Sequence, residues 1–207
     1  MQPRVTNRKT GRQDAAEERA LVERARAGDG AAFDQLVRAH FARVHSLLYR
    51  MVGNYEDAED LAQECFVRSH GALSLYRGEG SFSTWLYRIA LHLSRDHHRA
   101  AGRRAGALGF DVQEAAETAA VARAARTGRG PADDAARREL CAELQAAIGR
   151  LPHRLRAAFV LRTFETLEYD AIARVLRITP GTARVHVMKA RRLLLRRLEP
   201  WIGGAGS

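Results

Sequence analysis

Residues 151–198 constrain this chain more than any other part: LPHRLRAAFVLRTFETLEYDAIARVLRITPGTARVHVMKARRLLLRRL. They read as one helix followed by a helix-turn-helix whose second helix is unusually basic. Glu168 to Leu176 predicts a short helix, with Ile172 and Val175 or Leu176 at i, i+3 and i+4 spacing. Arg177 and Ile178 form the turn. Thr179 suits an N-cap, and Pro180 suits the first helical position, where its missing N–H costs nothing. From Gly181 the helix carries Thr182, Arg184, Val185, His186, Lys189, Arg191, Arg192, Arg196 and Arg197. A short helix, a tight turn and a capped basic helix are what major-groove docking requires. A basic amphipathic helix also fits a solvated face or a helix resting on an acidic partner, and these readings stay open on this stretch alone.

The charge favours a polyanionic partner: the net charge is +10 and the pI about 10.6. The bases are almost all Arg, with Lys9 and Lys189 the two lysines. Arg makes bidentate contacts to phosphate and guanine that Lys cannot copy, although a GC-rich coding sequence also yields an Arg- and Ala-rich chain. Placement is more telling than the ratio. Residues 1–100 hold 15 Lys and Arg against 13 Asp and Glu, and residues 137–207 hold 14 against 6. The basic excess belongs to the helix-turn-helix end, so the N-terminal half has a different task or partner.

Cys65 and Cys141 sit at apolar positions of helical patterns with no second Cys or His at ligand spacing, which argues against a disulfide framework or zinc site. His92, His97 and His98 cluster without the carboxylate or Cys pattern that would complete a metal site. No run reaches the roughly 18 apolar residues of a membrane span. The N-terminus, MQPRVTNRKTGRQD, lacks the apolar core of a signal peptide, and the expected location is the cytoplasm.

Residues 1–13 are polar and basic, and read as a disordered tail. Residues 14–100 carry helical periods only. Ala20, Leu21 and Ala25 mark a first helix, broken at Gly28-Asp29-Gly30. Phe33, Leu36, Val37, Phe41, Val44, Leu47, Leu48 and Met51 mark a long second, ended by Gly53-Asn54. Asp57 to about Leu75 is a third, and Ser83 caps a fourth running to about Arg99. Residues 101–136, rich in Gly and Ala and poor in large apolar side chains, read as a linker that is partly helical at most. A second all-α unit spans 137–202, its first helix turning Leu140, Leu144, Ala147 and Ile148 inward. The fold class expected is all-α: two small helical domains joined by a flexible linker.

On the third helix, DAEDLAQECFVRSHGAL, the positions Ala58, Leu61, Ala62, Cys65 and Ser69 form an apolar stripe, and Asp60, Gln63, Glu64 and Val67 form another face. That second face is either an ordinary acidic solvated surface or a docking surface for an Arg-rich helix. The fourth, FSTWLYRIALHLSRDHHRA, mixes aromatics with bases: Phe82, Trp85, Tyr87, Arg88, His92, Arg95, His97, His98 and Arg99. Base stacking on aromatics with Arg on phosphates is how single-stranded nucleic acid is held. Trp85 reads as core, and the Arg/His edge as a nucleic-acid surface.

In that order and spacing, DAEDLAQECFVRSH, FSTWLYRIALHLSRDHHR, LPHRLRAAFVLRTFE and EYDAIARVLRITPGTARVHVMKARRLL resemble the bacterial sigma-70 family, specifically the small extracytoplasmic-function (ECF) group that keeps only regions 2 and 4. The resemblance covers about residues 18–100 and 138–198. It implies that Asp60, Gln63, Glu64 and Val67 dock on the coiled coil of the polymerase β′ subunit, with the β flap a second contact. It implies that the segment from Arg77 to Arg99, including Phe82, Tyr87, Arg88, His92 and Arg95, melts the −10 promoter element and captures a flipped base. It implies that Thr182, Arg184, Val185, His186, Lys189, Arg191 and Arg192 read the −35 element, and that an anti-sigma factor occludes the polymerase-binding surfaces. No cofactor and no enzymatic activity are implied. His92 stands where many relatives carry Asn, and Val185-His186 replaces a hydroxyl and an Arg, so neither promoter sequence carries over from relatives. A regulator binding duplex DNA alone leaves the aromatic-basic helix and the DLAQE face unexplained. An enzyme lacks paired carboxylates, a nucleophile elbow or a phosphate loop. A general chromatin protein is at odds with the near-neutral N-terminal half.

Overall fold

In a computed structural model of the chain, the residues described are 8–78, 80–107 and 132–202, and these are helical apart from short connections. The N-terminal unit comprises α1 (Arg8–Arg26), α2 (Gly30–Val52), α3 (Tyr55–Gly71), a 3-10 turn (Leu73–Leu75) and α4 (Phe82–Ala107). The C-terminal unit comprises α5 (Ala132–Gly149), α6 (His153–Thr163), α7 (Tyr169–Leu176) and α8 (Pro180–Ile202).

Local chemistry sets the helix ends. The Asp29 carboxylate accepts from Ala32 N–H at 3.1 Å to open α2. Gly53, at φ 78°, closes it in the left-handed region that favours glycine. Asn54 then caps α3, accepting from Glu56 N–H at 3.0 Å. The cap of α4 is Ser81 rather than Ser83: Ser81 Oγ accepts from Thr84 N–H at 3.2 Å. Ser83 already lies in the first turn, whereas a capping oxygen must sit ahead of the free N–H groups it satisfies.

Each unit buries the apolar stripe its sequence announces. Leu36, Val44, Leu47, Leu48 and Met51 of α2 meet Ala58, Leu61, Ala62 and Cys65 of α3 and Phe82, Leu86 and Leu93 of α4. In the C-terminal unit Ile148, Phe159, Val160, Ile172 and Val175 pack on Ala183, Val187, Ala190 and Leu194 of α8. Burial of the Leu, Ile, Val, Met and Phe side chains among them stabilises each by about 1.5–3 kcal/mol. Several boundaries differ from the sequence expectations. Helix α1 begins at Arg8, so the second half of the expected 1–13 tail is helical, and residues 1–7 lie outside the described residues. Helices α4 and α5 extend into the expected 101–136 linker from both sides, and residues 108–131 lie outside the described residues. Leu140 and Cys141 are exposed rather than inward; among residues 139–149 of α5 the buried ones are Ala146, Ala147 and Ile148, in its last turns.

The two units share a seam, in which α2 meets α5 and α6, and α4 meets α7. Arg156 of α6 is its centre and is only 6% exposed. Its guanidinium donates to the carbonyls of Met51, Gly149 and Leu151. Met51 and Gly149 sit in the last turns of α2 and α5, where carbonyls have no helical partner and the helix dipole favours a cation. One side chain therefore closes a helix end in each unit. Around it Gln145 donates to the Tyr49 carbonyl at 3.2 Å, and the Arg50 guanidinium lies 4.0 Å from the Phe164 ring centroid.

Candidate functional site

Helix α3 presents two opposed faces. Ala58, Leu61, Ala62, Cys65 and Ser69 are buried, while Asp60, Gln63, Glu64 and Val67 are exposed at i, i+3, i+4 and i+7. Val67 is 72% exposed, unusual for a β-branched apolar residue within an otherwise polar stripe. Glu64 is paired along the helix with Arg68 at 2.5 Å. Burial pushes the Cys65 thiol up to about 12, so it is a packing residue and not a nucleophile.

Helix α4 and the segment before it divide the expected −10 residues into two groups. Arg77, His92 and Arg99 are exposed, and Arg88 and Arg95 are half-buried. Phe82 and Tyr87 are not surface groups in this arrangement. Phe82 is 1% exposed, its ring centroid 5.7 Å from Tyr76, 5.5 Å from Trp85 and 5.4 Å from His40. Tyr87 is 3% exposed, and its hydroxyl donates to Glu165 at 2.5 Å across the seam. Burial, then the Glu165 carboxylate, raises its pKa. The signal for Phe82 was in the sequence: it stands four residues before Leu86 and eight before Ala90, on the inward stripe. Trp85 packs partly into the core, 5.4 Å from the Tyr76 ring. His92 sits in a surface network: its Nδ1 accepts from Arg95 at 2.7 Å and its Nε2 lies 3.1 Å from Asp96. Arg95 can only donate, so the ring holds its proton on Nε2, toward the carboxylate.

Arg88 donates to the Arg174 carbonyl at 3.2 Å. A cavity of about 360 Å³ opens beside it, lined by Leu75, Tyr76, Arg77, Thr84, Trp85, Arg88 and, from the C-terminal unit, Arg177. Sequence reasoning missed this bridging, and missed Arg156 altogether. The one trace of Arg156 is its position three and four residues before the inward Phe159 and Val160.

The helix-turn-helix forms as read. Ile172, Ala173 and Val175 are buried, and Arg177 turns the chain at φ 53°. Thr179 Oγ1 accepts from Thr182 N–H at 3.1 Å and lies 2.8 Å from Thr182 Oγ1. Thr179→Ala is expected to lower stability by about 1 kcal/mol, read as a shift of the denaturation midpoint; an unchanged midpoint would show the cap to be idle. On α8 the inward face is Ala183, Val187, Ala190 and Leu194. The outward face carries Arg184, Val185, Met188, Lys189, Arg191 and Arg192, with Thr182 and His186 half-buried at its edge. Arg184 lies 5.0 Å from the Tyr169 ring centroid, which orients it. Burial, with Arg154 and Lys189 nearby, lowers the His186 pKa and favours the neutral ring.

The Sigma-70 region 2 profile matches residues 36–104, and the Sigma-70, region 4 profile matches residues 141–194. The RNA polymerase sigma-H factor of Pseudomonas aeruginosa is 36% identical over 184 residues, spanning 89% of this chain and 95% of that protein. The chain belongs to the ECF group of the sigma-70 family. The ECF RNA polymerase sigma-E factor of Escherichia coli is 34% identical over 185 residues, 89% of this chain and 96% of that protein. Among solved structures, CnrH in complex with the cytosolic domain of CnrY has a TM-score of 0.64 at 24% identity, covering 89% of this chain and 98% of that one. The sigma factor RpoE of Bartonella quintana, in complex with the anti-sigma factor NepR, has a TM-score of 0.62 at 18% identity, covering 81% and 96%. Both share the fold. In this sigma factor the region 2 match spans most of α2, with α3 and α4, the region 4 match spans the end of α5, with α6–α8, and α1 precedes the region 2 match. Among the described residues no helix is long and apolar enough to cross a membrane, and no group of three His, Cys, Asp or Glu could hold a metal ion.

Proposed function

We propose that this ECF sigma factor binds core RNA polymerase in the cytoplasm, recognises −35 and −10 elements, melts the promoter and starts transcription of a signal-responsive regulon. The observation that carries the reading is the α3 face: Asp60, Gln63, Glu64 and Val67 are exposed together while every residue of the opposite stripe is buried. An acidic stripe with one apolar contact suits a basic helix such as the β′ coiled coil. Region 4 offers the β flap a second contact and the −35 duplex the outward face of α8, where Arg184, Val185, His186 and Lys189 reach base edges and Thr182, Arg191 and Arg192 the flanking phosphates. Arg77, Arg88, His92, Arg95 and Arg99 serve the −10 strand, and Phe82 and Tyr87 hold that surface from beneath. His92, fixed by Arg95 and Asp96, is the candidate reader of the captured base. The two structural neighbours, each solved with a partner protein, support an anti-sigma partner as well.

The experiment is transcription from a promoter library by core polymerase supplemented with this protein, together with Asp60→Arg/Glu64→Arg. The double reversal is expected to weaken core binding at least about tenfold, a change of about 1.4 kcal/mol, with helix content intact by circular dichroism. Undiminished core affinity would remove α3 as the docking face. Duplex binding by the free protein as tight and selective as that of its polymerase complex would favour a stand-alone regulator.

A further inference from the structure

We propose that the seam between regions 2 and 4 is an acid-sensitive latch: with His98 and His153 neutral it holds region 4 across the −10 face, and their protonation releases it. What the latch covers rests on the −10 assignment above; that it opens does not.

The closed state engages part of the −10 surface and the tyrosine beneath it. Arg88 is spent on the Arg174 carbonyl, Tyr87 on Glu165, and Arg177 lines the cavity that Arg77, Thr84 and Trp85 form on region 2. Nε of Arg88 is buried without a partner, so the guanidinium is only partly satisfied in this state. A nucleic-acid strand cannot use these groups while region 4 does.

The fastening lies on the neighbouring turns. His98 Nε2 lies 2.7 Å from the Met51 carbonyl of α2 and 3.1 Å from Nη1 of Arg156. His153 Nε2 lies 3.1 Å from Ser94 Oγ of α4. Ser94 already donates to the Leu91 carbonyl at 3.0 Å, so its oxygen accepts from the imidazole. The two rings are 6.1 Å apart, centroid to centroid, with the buried guanidinium of Arg156 beside them. The titratable and charged groups that face them are His97 and Arg95 from α4 and Arg154 and Arg156 from α6, while α2 contributes the neutral Met51 carbonyl. No carboxylate is among them; that of Asp57, on α3, lies 3.7 Å from His97 Nε2. A proton added to either ring therefore meets a fixed cation in a low-dielectric seam with no anion to offset it.

The direction in pH follows. Burial, then the neighbouring cations, lowers the His153 pKa from 6.5 to about 4. His98 is lowered from 6.5 by burial, which outweighs the opposing Met51 bond. In the released state both rings return toward their ordinary value. Above that value neither state carries the proton and closure is at full strength. As pH falls below it the released state takes up protons first, and closure weakens down to the depressed value of the closed state. For His153 alone, going from about pH 7.5 to about pH 5.5 lowers the closed-to-released ratio about tenfold; His98 acts in the same direction.

Small-angle X-ray scattering of the full chain, free of polymerase, tests this at the two pH values. The radius of gyration is expected to rise on acidification with helix content unchanged by circular dichroism. His98→Gln/His153→Gln keeps amide donors at both positions but cannot charge, and is expected to stay compact. Should that variant lose helix, His153→Gln alone is expected to expand less than the parent. A constant radius, an expansion that tracks helix loss, or equal expansion in the uncharged variants overturns the latch. A fluorescein-labelled single-stranded DNA 12-mer of mixed sequence reports what is uncovered: at the acidic pH it is expected to bind the parent about tenfold more tightly than the double variant. Expansion without that difference leaves the latch standing and removes the −10 assignment.

Discussion

Phe82→Ala is expected to lower the unfolding free energy by about 3–5 kcal/mol, measured by urea denaturation of the free protein. The side chain is 1% exposed and wedged among Tyr76, Trp85 and His40, so its removal leaves a cavity where α4 meets the loop before it. The alternative is an aromatic platform on which a base stacks. Truncating such a surface group changes stability by about 0.5 kcal/mol or less while reducing single-strand binding by about 1–3 kcal/mol. A variant that unfolds like the parent but loses single-strand binding would return Phe82 to the DNA surface.

Arg156→Met is expected to cost about 2–4 kcal/mol. Methionine fills much of the volume but leaves the carbonyls of Gly149 and Leu151 without the guanidinium donor and that of Met51 with His98 alone. Arg156→Lys should recover only part of the loss, because one ammonium cannot span three carbonyls as the guanidinium fork does. The guanidinium carries the burden of its own desolvation, which lowers its pKa to about 10. A Met variant at least as stable as the parent would mean that this desolvation outweighs the three bonds, as it does in some buried ion pairs.

The particular residues show what one sequence can reveal. The helix-turn-helix was legible because each of its signals is local: the apolar triplet of α7, the turn at Arg177-Ile178, the Thr179 cap and Pro180 at the start of α8. The two faces of α3 were legible because helical period alone separates Asp60 from Leu61. Tyr87 and Arg156 were not, since polar side chains at inward positions declare themselves only through the partner they meet. Arg156 meets Met51 at a separation of 105 residues, and no window of period 3.6 spans that distance. Phe82 was legible and misassigned: its place on the inward stripe outweighed the aromatic-basic composition around it.

The seam also fastens onto main chain, not onto side chains alone. Across it Arg156, Gln145 and Arg88 address the backbone carbonyls of Met51, Tyr49 and Arg174. A carbonyl is supplied by whatever residue occupies the position. The accepting sites are thus free to drift as long as the helices keep their course, and the constraint falls on the donors alone. Paired substitutions at these three bonds would be rare, and a search for co-evolving positions would pass over them, however firmly they hold the two regions.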